Sequence, residues 1–166
     1  MSTKENLAAA FAGESQANRK YLAFAKKAEQ DGYPQIAKLF RASAEAETVH
    51  ALAHFKVMGG VKTTAENLQA AMDGEGYEFT NMYPGFIAEA KKEKNTAAEK
   101  SFQNAMDVEK IHFKLYEEAT KSLKSGKDLP AKAIYVCDIC GNTSIGNVPD
   151  TCPVCKASKE HFQEVK

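Results

Sequence analysis

Residues 106–116 read MDVEKIHFKLY. Wound into a helix, the three- and four-residue spacing brings Met106, Glu109, His112, Phe113 and Tyr116 to one side. A carboxylate and an imidazole thus interrupt an otherwise apolar stripe, where an uncompensated charge is expensive. The identity of whatever compensates them decides the fold.

Three other stripes repeat the pattern. The first runs Leu7, Phe11, Glu14, Tyr21, Phe24, Ala28, and the second Ile36, Phe40, Ser43, Glu47, His50, His54, Val57. The third gives Glu75, Glu78, Met82, Phe86. Five carboxylates lie on these faces without Lys or Arg beside them, so either the helices do not close there or cations fill the gap. The spacing Glu47-x-x-His50 and Glu109-x-x-His112 favours cations, because it puts an oxygen and a nitrogen donor one turn apart on one face. Glu14 and Glu47 are 33 residues apart and Glu75 and Glu109 are 34 apart, which points to a duplicated helix pair. Glu from one helix and Glu-x-x-His from the next is the ligand set of ferritin-like di-metal carboxylate proteins.

Breakers divide the helical part into four segments. Asp31-Gly32-Tyr33-Pro34 separates the first from the second, and Gly59-Gly60 ends the second. Val61 to about Asp73 reads as a connection with at most a short helix, and a third segment starts near Gly74 with a kink expected at Pro84-Gly85. The fourth begins at Asn95 or Thr96 and stops near Ser125-Gly126. Ser2 and Glu5 form the signature of a capping box that opens the first helix. This spacing predicts an antiparallel four-helix bundle over residues 1–128.

Beyond a boundary at Asp128 to Pro130, residues 129–166 are short and turn-rich, and need a metal or disulfide to fold. All four cysteines lie here, as Cys137-x-x-Cys140 and Cys152-x-x-Cys155. Tetrathiolate geometry suits zinc or a single iron, and spacing alone favours zinc. The chain has 166 residues, 22 basic against 22 acidic, and a sequence pI near 6.9, without the basic footprint of a nucleic-acid binder. The opening MSTKENLAAAFAGESQANRK resembles neither a secretory signal nor a membrane span. Clustered cysteines then point to metal binding in the cytoplasm rather than to disulfides, and no membrane partner is expected.

FAGESQA around Glu14, AEAETVHA around Glu47 and His50, EGYEFTNMYPGF around Glu75 and Glu78, VEKIH around Glu109 and His112, and CDIC…CPVC resemble the rubrerythrins, over nearly the whole chain. The resemblance implies an all-α four-helix ferritin-like bundle with a small C-terminal rubredoxin-like metal-binding domain. It implies a non-haem di-iron peroxidase that reduces hydrogen peroxide to water in oxidative-stress defence. Electrons would come from rubredoxin or an NAD(P)H-dependent reductase through one iron on Cys137, Cys140, Cys152 and Cys155, with zinc as a possible substitute. Glu47 and Glu109 would bridge the two irons, with Glu14 and Glu78 on one and Glu75 and His112 on the other. His50 would replace Glu78 on reduction, and Tyr21 and Tyr83 would stand behind the ligands. A homo-oligomer, a dimer or higher, is also implied. A ferroxidase or iron-handling role is the alternative, and a non-enzymatic zinc-ribbon protein a third reading. One departure from the family pattern is Lys156, where the second cysteine knuckle usually carries Gly. His54 is read as a packed or supporting residue, and His161 as solvent-exposed.

Overall fold

The structure, a computed structural model, describes residues 2–166. Two compact units make up the chain, one ending at Lys62 and the other running Thr63–Lys166.

The first unit is an antiparallel helix pair, α1 (Thr3–Gln30) and α2 (Pro34–Val57). The Ser2/Glu5 capping box opens α1, with both reciprocal hydrogen bonds formed. Pro34 sits in the first turn of α2, where a missing N–H breaks no helical bond. The two helices meet along alanines: Ala37, Ala44 and Ala51 recur every seven residues on α2 and are buried, as are Ala25 and Ala28 on α1. Aromatic rings fill the seam on either side. Phe11 stacks on Phe55 at 5.0 Å, and Tyr21, Phe24 and Phe40 form a second group. Gly59, at φ +69°, ends α2, and the Phe55 ring lies so close over Gly60 that a Cβ there would sit 2.2 Å from it.

The second unit begins with α3 (Thr64–Tyr77), a π-helical turn Glu78–Met82, α4 (Tyr83–Lys92) and α5 (Thr96–Lys124). The third helical segment therefore starts about ten residues earlier than Gly74. Its start is a second capping box, Thr63 with Glu66, and most of what reads as a connection is the first part of α3. The break near Pro84 also differs in kind. Pro84 occupies the first turn of α4, and the irregularity falls before it, where the Tyr83 N–H donates to the Glu78 carbonyl five residues back. Phe79 then meets Phe113 edge-on, and Phe86 meets Phe102, so the run stays packed on α5 through the π turn.

After α5 the chain forms a three-stranded antiparallel sheet in the order β2 (Thr143–Ile145), β1 (Ile134–Cys137), β3 (Phe162–Glu164). Its small core is Cys137, Cys152 and Phe162. On α5, Val108 is buried and its methyl lies 3.8 Å from the position of a Cβ on Gly141, while His112, one turn on, bonds to Thr143.

Candidate metal centres

In the first unit, Glu14 projects from α1 and Glu47 and His50 from α2, with one donor atom of each inside a 4.8 Å cluster. His50 Nδ1 is 3.1 Å from Glu47 Oε2 and 3.9 Å from Glu14 Oε1. The carboxyls of Glu14 and Glu47 lie within reach of each other. A hydrogen bond to Glu47 raises the Glu14 pKa, and the same bond, with help from His50, lowers that of Glu47. His54 is not in the cluster but lies close enough for its charge to act on Glu14. Tyr21 packs its ring against Phe24 and Phe40, which also meet each other edge-on.

The second unit holds an equivalent group. Glu75 comes from α3 and Glu109 and His112 from α5, again within 4.8 Å. His112 Nδ1 is 2.9 Å from Glu109 Oε2 and 3.7 Å from Glu75 Oε1. Burial, then the Glu109 hydrogen bond, then the charges of Glu109 and Glu78 push Glu75 up to about 8. Glu78, at the start of the π turn, stands outside the tight group; burial and the charge of Glu109 raise its pKa. Tyr83 is held protonated by burial and by Glu78, Glu109 and Glu75.

Each group thus has two carboxylates and one imidazole. The upward shift of Glu75 to about 8 follows from how poorly the site tolerates its own negative charge. A divalent cation at the shared focus removes that penalty, and oxygen and imidazole nitrogen suit iron.

The sheet builds the third group. Cys137 ends β1, Cys140 follows in the turn, and Cys152 and Cys155 form a second knuckle. Sγ of Cys137 is 3.7 Å from that of Cys155, and Cys140 is 3.6 Å from Cys152. A tetrahedron with metal–sulfur bonds of about 2.3 Å has edges of about 3.8 Å, so the thiols already stand at ligand spacing and too far apart for disulfides. The knuckles match. Gly141 and Lys156 each follow the second cysteine at positive φ, +85° and +66°, and each N–H donates to the carbonyl of the first. Lys156 therefore adopts the left-handed turn that Gly fills more easily, and its Nζ reaches the Pro153 carbonyl at 2.8 Å. Burial raises the Cys140 and Cys155 thiols, whereas at Cys152 the amides of Cys155 and Val154 outweigh burial and bring the thiol down to about 7. The His161 side chain is 43% exposed, and its Nδ1 lies 2.9 Å from Asp138 Oδ1 inside the first knuckle, because the register of β3 on β1 brings them together.

The rubrerythrin family model matches residues 5–120, and the model described as "Rubrerythrin, rubredoxin-like domain" matches 135–163. The chain belongs to the rubrerythrin family. Rubrerythrin-2 of Clostridium acetobutylicum is 35% identical, covering 97% of this chain and 95% of its own length. Nigerythrin of Nitratidesulfovibrio vulgaris is 36% identical over 97% of this chain and 85% of its own. A solved structure of fully reduced, all-ferrous nigerythrin matches with a TM-score of 0.59 and 34% identity, covering 99% of this chain and 87% of that one. The fold class is accordingly all-α ferritin-like with a rubredoxin-like C-terminal domain, and the cofactors are a non-haem iron pair and one tetracysteine iron. Rubrerythrins are di-iron oxidoreductases of peroxidase type. Among the described residues, no helix is long and apolar enough to cross a membrane.

Asn142 and Thr143 are the functional neighbours that sequence reasoning missed. Neither is a ligand type in a recognised spacing, and the contact Thr143 makes spans 31 positions.

Proposed function

We propose that this rubrerythrin reduces hydrogen peroxide to water in the cytoplasm, as part of defence against oxidative stress. The observation that carries the reading is the pairing, in one compact unit, of a carboxylate–histidine group with a four-thiolate group. A ferroxidase draws its electrons from the iron it stores and has no use for such a relay. Iron, when bound, supplies the two electrons that reductive cleavage of the O–O bond consumes.

Residues 1–128 then serve the iron pair and residues 129–166 the electron supply. Glu14, Glu47, Glu75, Glu78, Glu109 and His112 would supply the ligands of that pair, with Glu47 and Glu109 as the carboxylates the two irons would share, Glu14 and Glu78 assigned to one iron and Glu75 and His112 to the other. Glu78 and His50 would be alternative ligands, the anion suited to the more highly charged ferric pair and the neutral imidazole to the ferrous one. Their environments suit the exchange. Glu78 lies outside the tight group of its unit, and the His50 side chain is 54% exposed against 26% for His112. Reduction of peroxide to two waters also takes up two protons. Tyr83, whose pKa is raised, retains a proton on its hydroxyl that can meet this demand, and Tyr21 is assigned the same task from the first unit.

The external donor is assigned as a rubredoxin or an NAD(P)H-dependent reductase. We assign the working form as a homo-oligomer, because α1 and α2 leave Leu39, Val49, Leu52 and Val57 more than half exposed.

Anaerobic mixing of the fully reduced protein with peroxide, and separately with dioxygen, tests the reaction. Rapid return of the red ferric-thiolate absorption with peroxide and slow return with dioxygen is the expected result. The opposite order assigns the protein to ferroxidase chemistry.

A further inference from the structure

His112 is held at both ring nitrogens. Nδ1 faces Glu109 and Glu75, and Nε2 lies 2.9 Å from Thr143 Oγ1, on the first residue of β2. The Thr143 hydroxyl has one proton, and the Gly141 carbonyl takes it at 3.3 Å. With a metal at Nδ1 the ring proton sits on Nε2, and the hydroxyl oxygen, its own proton directed to Gly141, accepts it. A neutral histidine protonated at Nε2 carries its lone pair at Nδ1, the nitrogen directed at the carboxylates. The hydroxyl therefore stabilises the metal-binding tautomer and fixes the ring plane.

We propose that Thr143 is a positioning residue of the iron pair, acting through His112 and tying that ligand to the tetracysteine loop. Both connections are short. Cys140 Sγ accepts the backbone N–H of Asn142, the adjacent residue, and Asn142 is buried with its carbonyl bonded to the Cys137 N–H. One turn before His112, Val108 packs against Gly141, so two successive turns of α5 seat the loop that carries the hydroxyl. His50 has no equivalent anchor: within the described structure it is bonded through Nδ1. The inference rests on the di-iron assignment and not on which oxidant is reduced.

Two measurements on the full-length chain test it. In diamagnetic, zinc-substituted wild-type protein, long-range nitrogen–proton spectra should show a slowly exchanging proton on His112 Nε2, with an Overhauser contact to the Thr143 methyl group. A rapidly exchanging Nε2 proton without that contact overturns the proposal, and no variant is needed to find it. In iron-loaded protein, T143V should weaken retention of the iron pair against a ferrous chelator by about 10- to 100-fold, the usual effect of losing a partner to a ligand histidine. T143S should restore it, and the visible absorption of the thiolate iron should be the same in all three proteins. Equal retention in T143V, or loss in T143S as severe as in T143V, overturns a role for the hydroxyl. Neither readout involves peroxide, so a failed peroxidase assignment leaves both outcomes interpretable.

Discussion

Without a cation beside it, Glu75 takes up a proton near pH 8, because burial, the Glu109 hydrogen bond and nearby negative charge all oppose ionisation. In the unfolded chain the same carboxyl titrates at about 4.5. Its folded pKa is raised, so the native state binds the proton more tightly. The stability this contributes is complete below about pH 4.5 and is lost as the pH rises through 8. In metal-free protein, the melting temperature of wild type minus that of E75Q should therefore fall steadily across that window, with carboxylates remote from Glu75 cancelling in the difference. A pH-independent difference would remove Glu75 from the strained group. Iron should reverse the trend, since binding takes the ionised carboxylate and releases the proton. Residue types at this scale were largely legible: Glu-x-x-His carries its own geometry, and two copies of it are hard to explain as packing. Thr143 was not legible, because its significance arises only when a loop 31 positions away is seated on α5.

Helix ends were legible wherever polar caps and glycines mark them, as at Ser2, at Pro34, at Gly59 and Gly60, and at Asn95. α3 escaped because its apolar stripe is weak. None of its residues is fully buried, so periodicity had little to register in TAENLQAAMD. The overlooked signal was Thr63-x-x-Glu66, the same device that opens α1. Thr63 Oγ1 accepts the Glu66 N–H at 3.3 Å, and the Glu66 carboxylate returns to the Thr63 N–H at 3.1 Å. Replacing Thr63 with Ala should destabilise the chain by about 1 kcal/mol, and T63S should recover most of that. Urea midpoints followed by far-ultraviolet circular dichroism provide the measurement; an unchanged midpoint for T63A would show that α3 is held by packing alone. The π turn was legible only in part. Pro84-Gly85 signals a break, but the widened turn lies upstream, where the Tyr83 N–H skips to the Glu78 carbonyl. This gives Glu78 a backbone setting unlike that of Glu14, Glu47, Glu75 and Glu109, which lie in regular helix, in keeping with its assignment as the exchangeable ligand.

At the scale of the whole molecule, the assigned reaction separates two demands that different parts of the chain meet. Cleaving one peroxide takes two electrons, which a reduced iron pair already holds. Repeating the reaction requires those electrons to be replaced from outside, and that is the task given to the four thiolates. The division can be broken at Cys152, which is completely buried in the small core of the sheet and whose thiol is brought down to about 7. C152S removes one of four ligands from a module with little other core, so the red thiolate absorption should disappear. Helical circular dichroism should persist, because α1 to α5 draw their packing from alanine and aromatic contacts outside that core. Chemically reduced C152S should then consume peroxide in a single rapid turnover and stop. Wild type supplied with reductase and NAD(P)H should continue. Continued turnover by C152S under the same supply would mean that electrons reach the iron pair without the thiolate centre, and the module would then need a different purpose. Failure of even the first turnover, with iron still bound by the carboxylate–histidine groups, would instead show that the sheet is required to shape the reacting site, with the contact between Thr143 and His112 as the first place to look.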